Sequence, residues 1–179
     1  MLRAPCYVAQ RRTMSKKIKI GVSSCLLGNN VRYDGGNKLD QHLIDTLGRI
    51  ALWVPICPEV ESGLPVPREA MQLVADGPRI CLITVETKQD RTEVLTRWGE
   101  EKLKRLEQEG VRGFVLKARS PSCGVHNAPF FSSAGDAQGA GAGLFAKAVI
   151  NHFPSLPVVD EERLRDPDVR ELFLRRLQP

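Results

Sequence analysis

The 179-residue sequence is marked first by what it does not contain. Its apolar runs are far too short to cross a bilayer, so no membrane-spanning helix is expected. Residues 1–13 carry Arg3, Arg11 and Arg12 but no apolar stretch of signal-peptide length, which argues against secretion. No CxxC pair occurs, so no compact zinc knuckle or thioredoxin-type motif is present. No GxGxxG fingerprint occurs, and no histidine is spaced to suggest the base of a serine hydrolase. Repeats and low-complexity tracts are absent as well. What remains is an ordinary globular composition, 42% hydrophobic and 26% charged, in one domain with enough chain for a full core. The net charge of +5 comes from cations spread along the chain, which is a weak argument for a nucleic-acid partner.

Five cysteines without a secretory signal indicate a reducing, cytoplasmic setting, where thiols serve metal binding or catalysis rather than disulfides. Met14-Ser15-Lys16-Lys17 would be a natural start. Residues 1–16 are therefore read as an N-terminal extension, disordered or a start-site artefact, and residues 17–179 as a single domain. Cys6 then plays no part.

Ile18 to Ser23 alternates as a strand and runs into Ser24-Cys25-Leu26-Leu27-Gly28. Asp40 can cap a helix carrying Leu43, Ile44, Leu47 and Ile50. A second strand over 52–56 delivers Cys57, and Pro- and Gly-rich residues 58–79 predict a long, ordered active-site loop. A third strand over Ile80 to Val85 precedes a helix over 92–110, opened by a capping-box-like Asp90 and Glu93. A fourth strand over 113–117 ends in Ser120-Pro121-Ser122-Cys123-Gly124. The glycines of 135–143 read as a flexible turn opening a helix, with an anion-binding helix start as the alternative. A short strand over 156–159 and helical pieces capped by Asp160 and Asp166 close the chain. Strands alternating with helices predict an α/β fold. The expectation is a single Rossmann-like domain with a mostly parallel sheet flanked by helices, and its site at the C-terminal ends of the strands.

Three cysteines, Cys25, Cys57 and Cys123, each follow such a strand. Cys81 lies inside one and reads as a small core residue. Three converging thiolates can hold zinc with a fourth ligand, or an iron–sulfur cluster with one iron open to a soft substrate sulfur. His126 could be the fourth ligand, an acid–base group or an exposed loop residue, while His42 and His152 read as structural. Glu59, two residues past Cys57, is the candidate general acid or base, its pKa raised if apolar groups bury it. Glu61 is the competing carboxylate. Ser120 and Ser122 could donate to a substrate or relay a proton, or simply form the turn. Ser24, Arg32, Tyr33, Asp34 and Ser122 are the candidate substrate contacts, Asp34 equally a turn former.

Taken together, Ser24-Cys25-Leu26-Leu27-Gly28, Val31-Arg32-Tyr33-Asp34-Gly35, Cys57-Pro58-Glu59-Val60, Gly63-Leu64-Pro65-Val66-Pro67-Arg68 and Ser120-Pro121-Ser122-Cys123-Gly124 closely resemble the bacterial thiouracil desulfidases, a family long classed as a domain of unknown function. The likeness runs from about Lys17 to Gln178. It implies a [4Fe–4S] cluster on Cys25, Cys57 and Cys123, and non-redox desulfuration of a thiolated pyrimidine to the oxo-pyrimidine and hydrogen sulfide. It implies Glu59 and a serine, chosen as Ser120, as the proton-moving residues. Some relatives carry a further module and act on thiolated tRNA. The expected partner here is a free thiolated nucleobase or nucleoside, with tRNA possible and not favoured, and no membrane. The alternative is a non-catalytic iron–sulfur or zinc module associated with tRNA thio-modification.

Overall fold

The computed structural model describes residues 17–77 and 79–178. The proposed extension at 1–16, with Cys6, lies outside them. The chain runs β1 (Ile18–Ser23), α1 (Gln41–Leu47), β2 (Ala51–Ile56), α2 (Pro58–Glu61), β3 (Met71–Asp76), β4 (Arg79–Thr84), α3 (Thr92–Gln108), β5 (Phe114–Leu116), β6 (Ala128–Phe131), β7 (Ala137–Gly141), α4 (Leu144–His152), β8 (Val158–Asp160) and α5 (Pro167–Leu177). One sheet has the order β2-β1-β5-β8 and is parallel at every pairing. This is the expected α/β architecture. Its central strands are apolar on both faces because helices cover both. Along β5, Phe114 and Leu116 join a core with Leu95, Leu106 and Phe145 of α3 and α4, while Val115 faces a second core with Leu43, Leu47 and Phe173 of α1 and α5. Burying each such large side chain contributes about 1.5–3 kcal/mol.

A second sheet, order β4-β3-β6-β7, was not expected. β3 and β4 form an antiparallel hairpin, β3 pairs with β6 in parallel, and β6 with β7 antiparallel. The long loop predicted over 58–79 is thus corrected. It begins with the single turn of α2 and ends in β3, and only the middle is irregular. The glycine-rich turn over 135–143 is corrected too, because it contains β7. Gly141 lies so close under the Phe130 ring that an added Cβ would meet its Cζ at 2.6 Å, which explains a glycine in that strand. Leu73, Leu82 and Ala128 dock this sheet onto the α3–α4 core.

The helix caps follow the sequence more closely. Asp166 accepts N–H bonds at the start of α5. Asp40 accepts from Leu43 N at 2.9 Å and from Arg165 Nη2 at 3.0 Å, so one buried carboxylate caps α1 and ties it to the C-terminal segment. Asp90 accepts from Thr92 N at the head of α3, but Glu93 pairs forward with Arg97 instead of closing a capping box. Asp40→Ala should lower the unfolding free energy by about 1–2 kcal/mol, read from urea denaturation. An unchanged midpoint would show that neither the cap nor the tie carries stability.

Candidate functional site

Because the four strands of the first sheet are parallel, their carboxyl ends deliver four segments to one side. After β1, Ser24–Leu27 makes a short 3-10 turn that Gly28 ends at φ +88. The Cys25 carbonyl accepts from Lys38 N at 2.9 Å, anchoring the loop that follows. After β2, Pro58 opens α2 at its first position and places Glu59 beside Cys57. The Cys57 N–H donates to Glu61 Oε1 at 2.9 Å, and Glu61 Oε2 pairs with Lys102 of α3 at 2.8 Å. Glu61 therefore holds the turn in place and takes no part in lining the cavity described below. After β8, buried Glu161 pairs with Lys117 and accepts from Ala118 N at 2.7 Å.

The segment after β5 is gripped by α4. Leu144 N donates to Pro121 O at 3.1 Å, Phe145 N and Ala146 N donate to Ser122 O at 3.0 and 3.1 Å, and Gly143 N donates to Gly124 O at 2.8 Å. The N–H groups that a helix start leaves unpaired are thus spent on the carbonyls of the loop that carries Cys123. They are not free for an anion, which corrects that alternative reading. Gly143 is required by proximity, since an added Cβ would stand 2.6 Å from Pro121 O and 2.7 Å from the Ser122 carbonyl carbon. Within the loop, Ser120 Oγ accepts from Ser122 N at 3.2 Å and Cys123 N at 3.1 Å. Its own proton is left to point elsewhere.

These segments surround a cavity of about 640 Å³. Cys25, Cys57 and Cys123 line it, as do Glu59 and Ser120. Ser24, Arg32 and Tyr33 line it as well, but Asp34 and Ser122 do not. Asp34 instead binds Arg32, with Nε to Oδ1 at 3.2 Å and Nη2 to Oδ2 at 3.0 Å, and so fixes the guanidinium 5.4 Å from the Tyr33 ring centre. Ser122 is fully buried and donates to Glu59 Oε1 at 2.8 Å. His126 is not part of the cavity wall. It is half exposed, with Nδ1 3.6 Å from Asp160 Oδ2. His152 pairs with Glu107 on the surface, and His42 is exposed on α1.

Electrostatically, the three thiols are the unusual groups. Burial, and then the neighbouring Cys57, pushes the Cys25 thiol up to about 11, with Lys117 and Arg32 pulling the other way. Cys123 is driven well above the ordinary thiol value by burial, with Cys25, Glu59 and Cys57 adding to it. Cys57 is raised, again by burial first. All four described cysteines are free. Glu59 does not have the apolar setting expected of it. Its Oε2 accepts from Arg68 Nε at 2.9 Å and Nη2 at 2.6 Å. Arg68 is a functional candidate that the sequence reading passed over, although it closes the Pro65-Val66-Pro67-Arg68 motif. Lys38, Lys117 and Arg119 also line the cavity, and the sequence reading gave none of them a role.

Comparison with known proteins places the chain among relatives. Residues 20–161 match the model of the 2-thiouracil desulfurase family. The chain is 26% identical over 153 residues to the uncharacterized protein YbbK of Bacillus subtilis (strain 168), a match covering 81% of this chain and 97% of that one. Among solved structures it is similar to the [4Fe-4S]-dependent thiouracil desulfidase TudS, with a TM-score of 0.66 and 32% identity over 88% of this chain and 99% of the other.

The grip of α4 on the Cys123 loop is testable without any assay of function. Gly143→Ala should cost about 1–3 kcal/mol of unfolding free energy, because the methyl group must push apart a helix start and a loop already joined by four hydrogen bonds. A loss below about 0.5 kcal/mol, the range of ordinary surface changes, would show that the contact is slack.

Proposed function

The chain belongs to the 2-thiouracil desulfurase family, and on that premise we propose how its residues remove sulfur from a thiolated pyrimidine. The reaction is non-redox: water oxygen replaces sulfur at the ring carbon, and the sulfur leaves as hydrogen sulfide. The observation that carries the reading is the meeting of three strand-end thiols, a carboxylate and a serine hydroxyl on one cavity.

The donor set suits a [4Fe–4S] cluster. Burial raises all three thiol pKa values, and neighbouring thiols add to the rise at Cys25 and Cys123, so the site is costly to ionise until a cationic group shares the charge. Cys25, Cys57 and Cys123 would be its ligands. When bound, such a cluster supplies one iron without a protein ligand, a soft Lewis acid matched to a thiocarbonyl sulfur.

The chain's own groups do the rest. Glu59 accepts the proton of the attacking water and later returns it toward the leaving sulfur. Ser120 donates from a hydroxyl whose acceptor side is already filled by two backbone N–H groups. Ser24 accepts from Asn29 Nδ2 at 2.8 Å, which leaves its proton for a ring carbonyl. Arg32 and Tyr33 give the mouth a flat surface on which a base can stack. Lys117 and Arg32 lower the cost of thiolate charge at Cys25. The cavity size suits a free base or nucleoside. A reducing cytoplasm would preserve such thiols, and no described helix is long and apolar enough to cross a membrane.

Anaerobic purification should give about four irons and four sulfides per chain, both lost in Cys123→Ala. One zinc without sulfide would move the reading to a metal-binding module. In cluster-loaded protein, Glu59→Gln should slow sulfide release from 2-thiouracil or 4-thiouracil by about 10²–10⁴-fold. An unchanged rate would remove Glu59 from the mechanism.

A further inference from the structure

Glu59 is held from both sides. A carboxylate offers about four lone-pair positions. On Oε2, Arg68 Nε and Nη2 occupy two, at 2.9 and 2.6 Å. On Oε1, the Ser122 hydroxyl occupies one, at 2.8 Å. One position remains, and it is on Oε1.

The holder is itself immobilised. Arg68 is almost fully buried. Its Nη1 donates to Pro65 O at 3.1 Å and its Nη2 also to Val31 O at 2.9 Å. Its backbone N–H donates to Tyr33 O at 2.8 Å. One residue therefore joins three pieces of chain: the proline-rich segment, the loop bearing Arg32 and Tyr33, and the turn bearing Glu59. The Cys57 thiol also lies near Val31 O, at 3.8 Å. Once Cys57 is engaged as a ligand, Arg68 is the donor left to hold that carbonyl. Lysine has no planar fork and cannot make this set of contacts. On the other side, Ser122 is fixed by the α4 grip on its carbonyl.

We infer that Arg68 and Ser122 are positioning residues that clamp Glu59 and leave a single acceptor direction on Oε1, aimed at the attacking water. The inference rests on the desulfidase reading for what the carboxylate does, but not for the clamp itself. A base with one fixed acceptor needs no reorientation during the reaction, and displacement of such a group by about 1 Å costs on the order of a hundredfold in rate.

The test uses cluster-loaded wild type, Arg68→Met, Arg68→Lys, Ser122→Ala, Glu59→Gln and the Arg68→Met/Glu59→Gln double variant. Iron and sulfide content, kcat and KM for 2-thiouracil or 4-thiouracil, and the melting temperature are measured for each. Arg68→Met should lower kcat by about a hundredfold with KM changed less than about threefold. Arg68→Lys should recover part of that loss, and Ser122→Ala should cost about tenfold. Iron should stay at the wild-type level, and the double variant should be no slower than Glu59→Gln alone. A kcat within twofold of wild type in Arg68→Met, a rise in KM with kcat kept, or loss of iron would each overturn the inference. The first would mean no role, the second a substrate contact, and the third a purely structural one. If wild type releases no sulfide, the desulfidase reading fails instead, and the melting temperatures decide the clamp. Non-additive shifts for Arg68→Met and Glu59→Gln support it, and additive shifts overturn it.

Discussion

Everything at the site depends on four strands pointing the same way. A parallel sheet must return the chain to its starting end between strands, and here α1, α3 and α4 lie in those crossovers while α5, after the last strand, helps to cover one face. The consequence is that residues far apart in sequence, at 25, 57, 59, 120 and 123, arrive at one end of the sheet. They come from three separate stretches of chain, after β1, β2 and β5, so the full set cannot assemble locally. The site therefore exists only when the fold does, and loops that cannot be buried elsewhere become its walls.

The fold offsets the cost of that site with specific contacts. Two buried thiols and a partly buried one are expensive as thiolates, and a carboxylate among them is expensive unless it is paired. Residues from other segments pair Glu59, through Arg68, and Glu161, through Lys117, while Asp34 pairs with Arg32 inside one loop. Backbone groups are committed as thoroughly. The first turn of α4, which in many folds would be left to bind a ligand, is consumed in holding the Cys123 loop. Rigidity at this position is useful because drift of the loop would change the spacing of the thiols.

Much of this was legible in the sequence, and the illegible part has identifiable causes. The strands of the first sheet stand out because both faces are buried, so runs such as Ile18 to Ser23 are apolar and bounded by turn residues. The second sheet was hidden by its own composition. β6 contains Pro129, which donates no ladder hydrogen bond, and β7 is Ala-Gln-Gly-Ala-Gly, which has the look of a turn. β3 follows a proline-rich segment and is recognisable only by its pairing with β4, a non-local fact. The cysteines were found because each ends a strand. Arg68 was not singled out because its side chain makes four hydrogen bonds to three acceptors, each from a different segment.

The two glutamates of Cys57-Pro58-Glu59-Val60-Glu61 show where pattern ends and geometry begins. From sequence alone either carboxylate could serve as the base. On a helical turn, however, residues two apart project in nearly opposite directions. Once Pro58 starts the turn and Cys57 is fixed at the end of β2, one glutamate must face the cavity and the other must face away. Glu59 takes the inner position, with Ser122 and Arg68 around it. Glu61 takes the outer one, closing the turn through the Cys57 N–H and joining it to α3 through Lys102. The outer carboxylate thus stabilises the turn that aims the inner one. A motif that reads as two rival candidates is one device in which the spacing of two residues sets both roles.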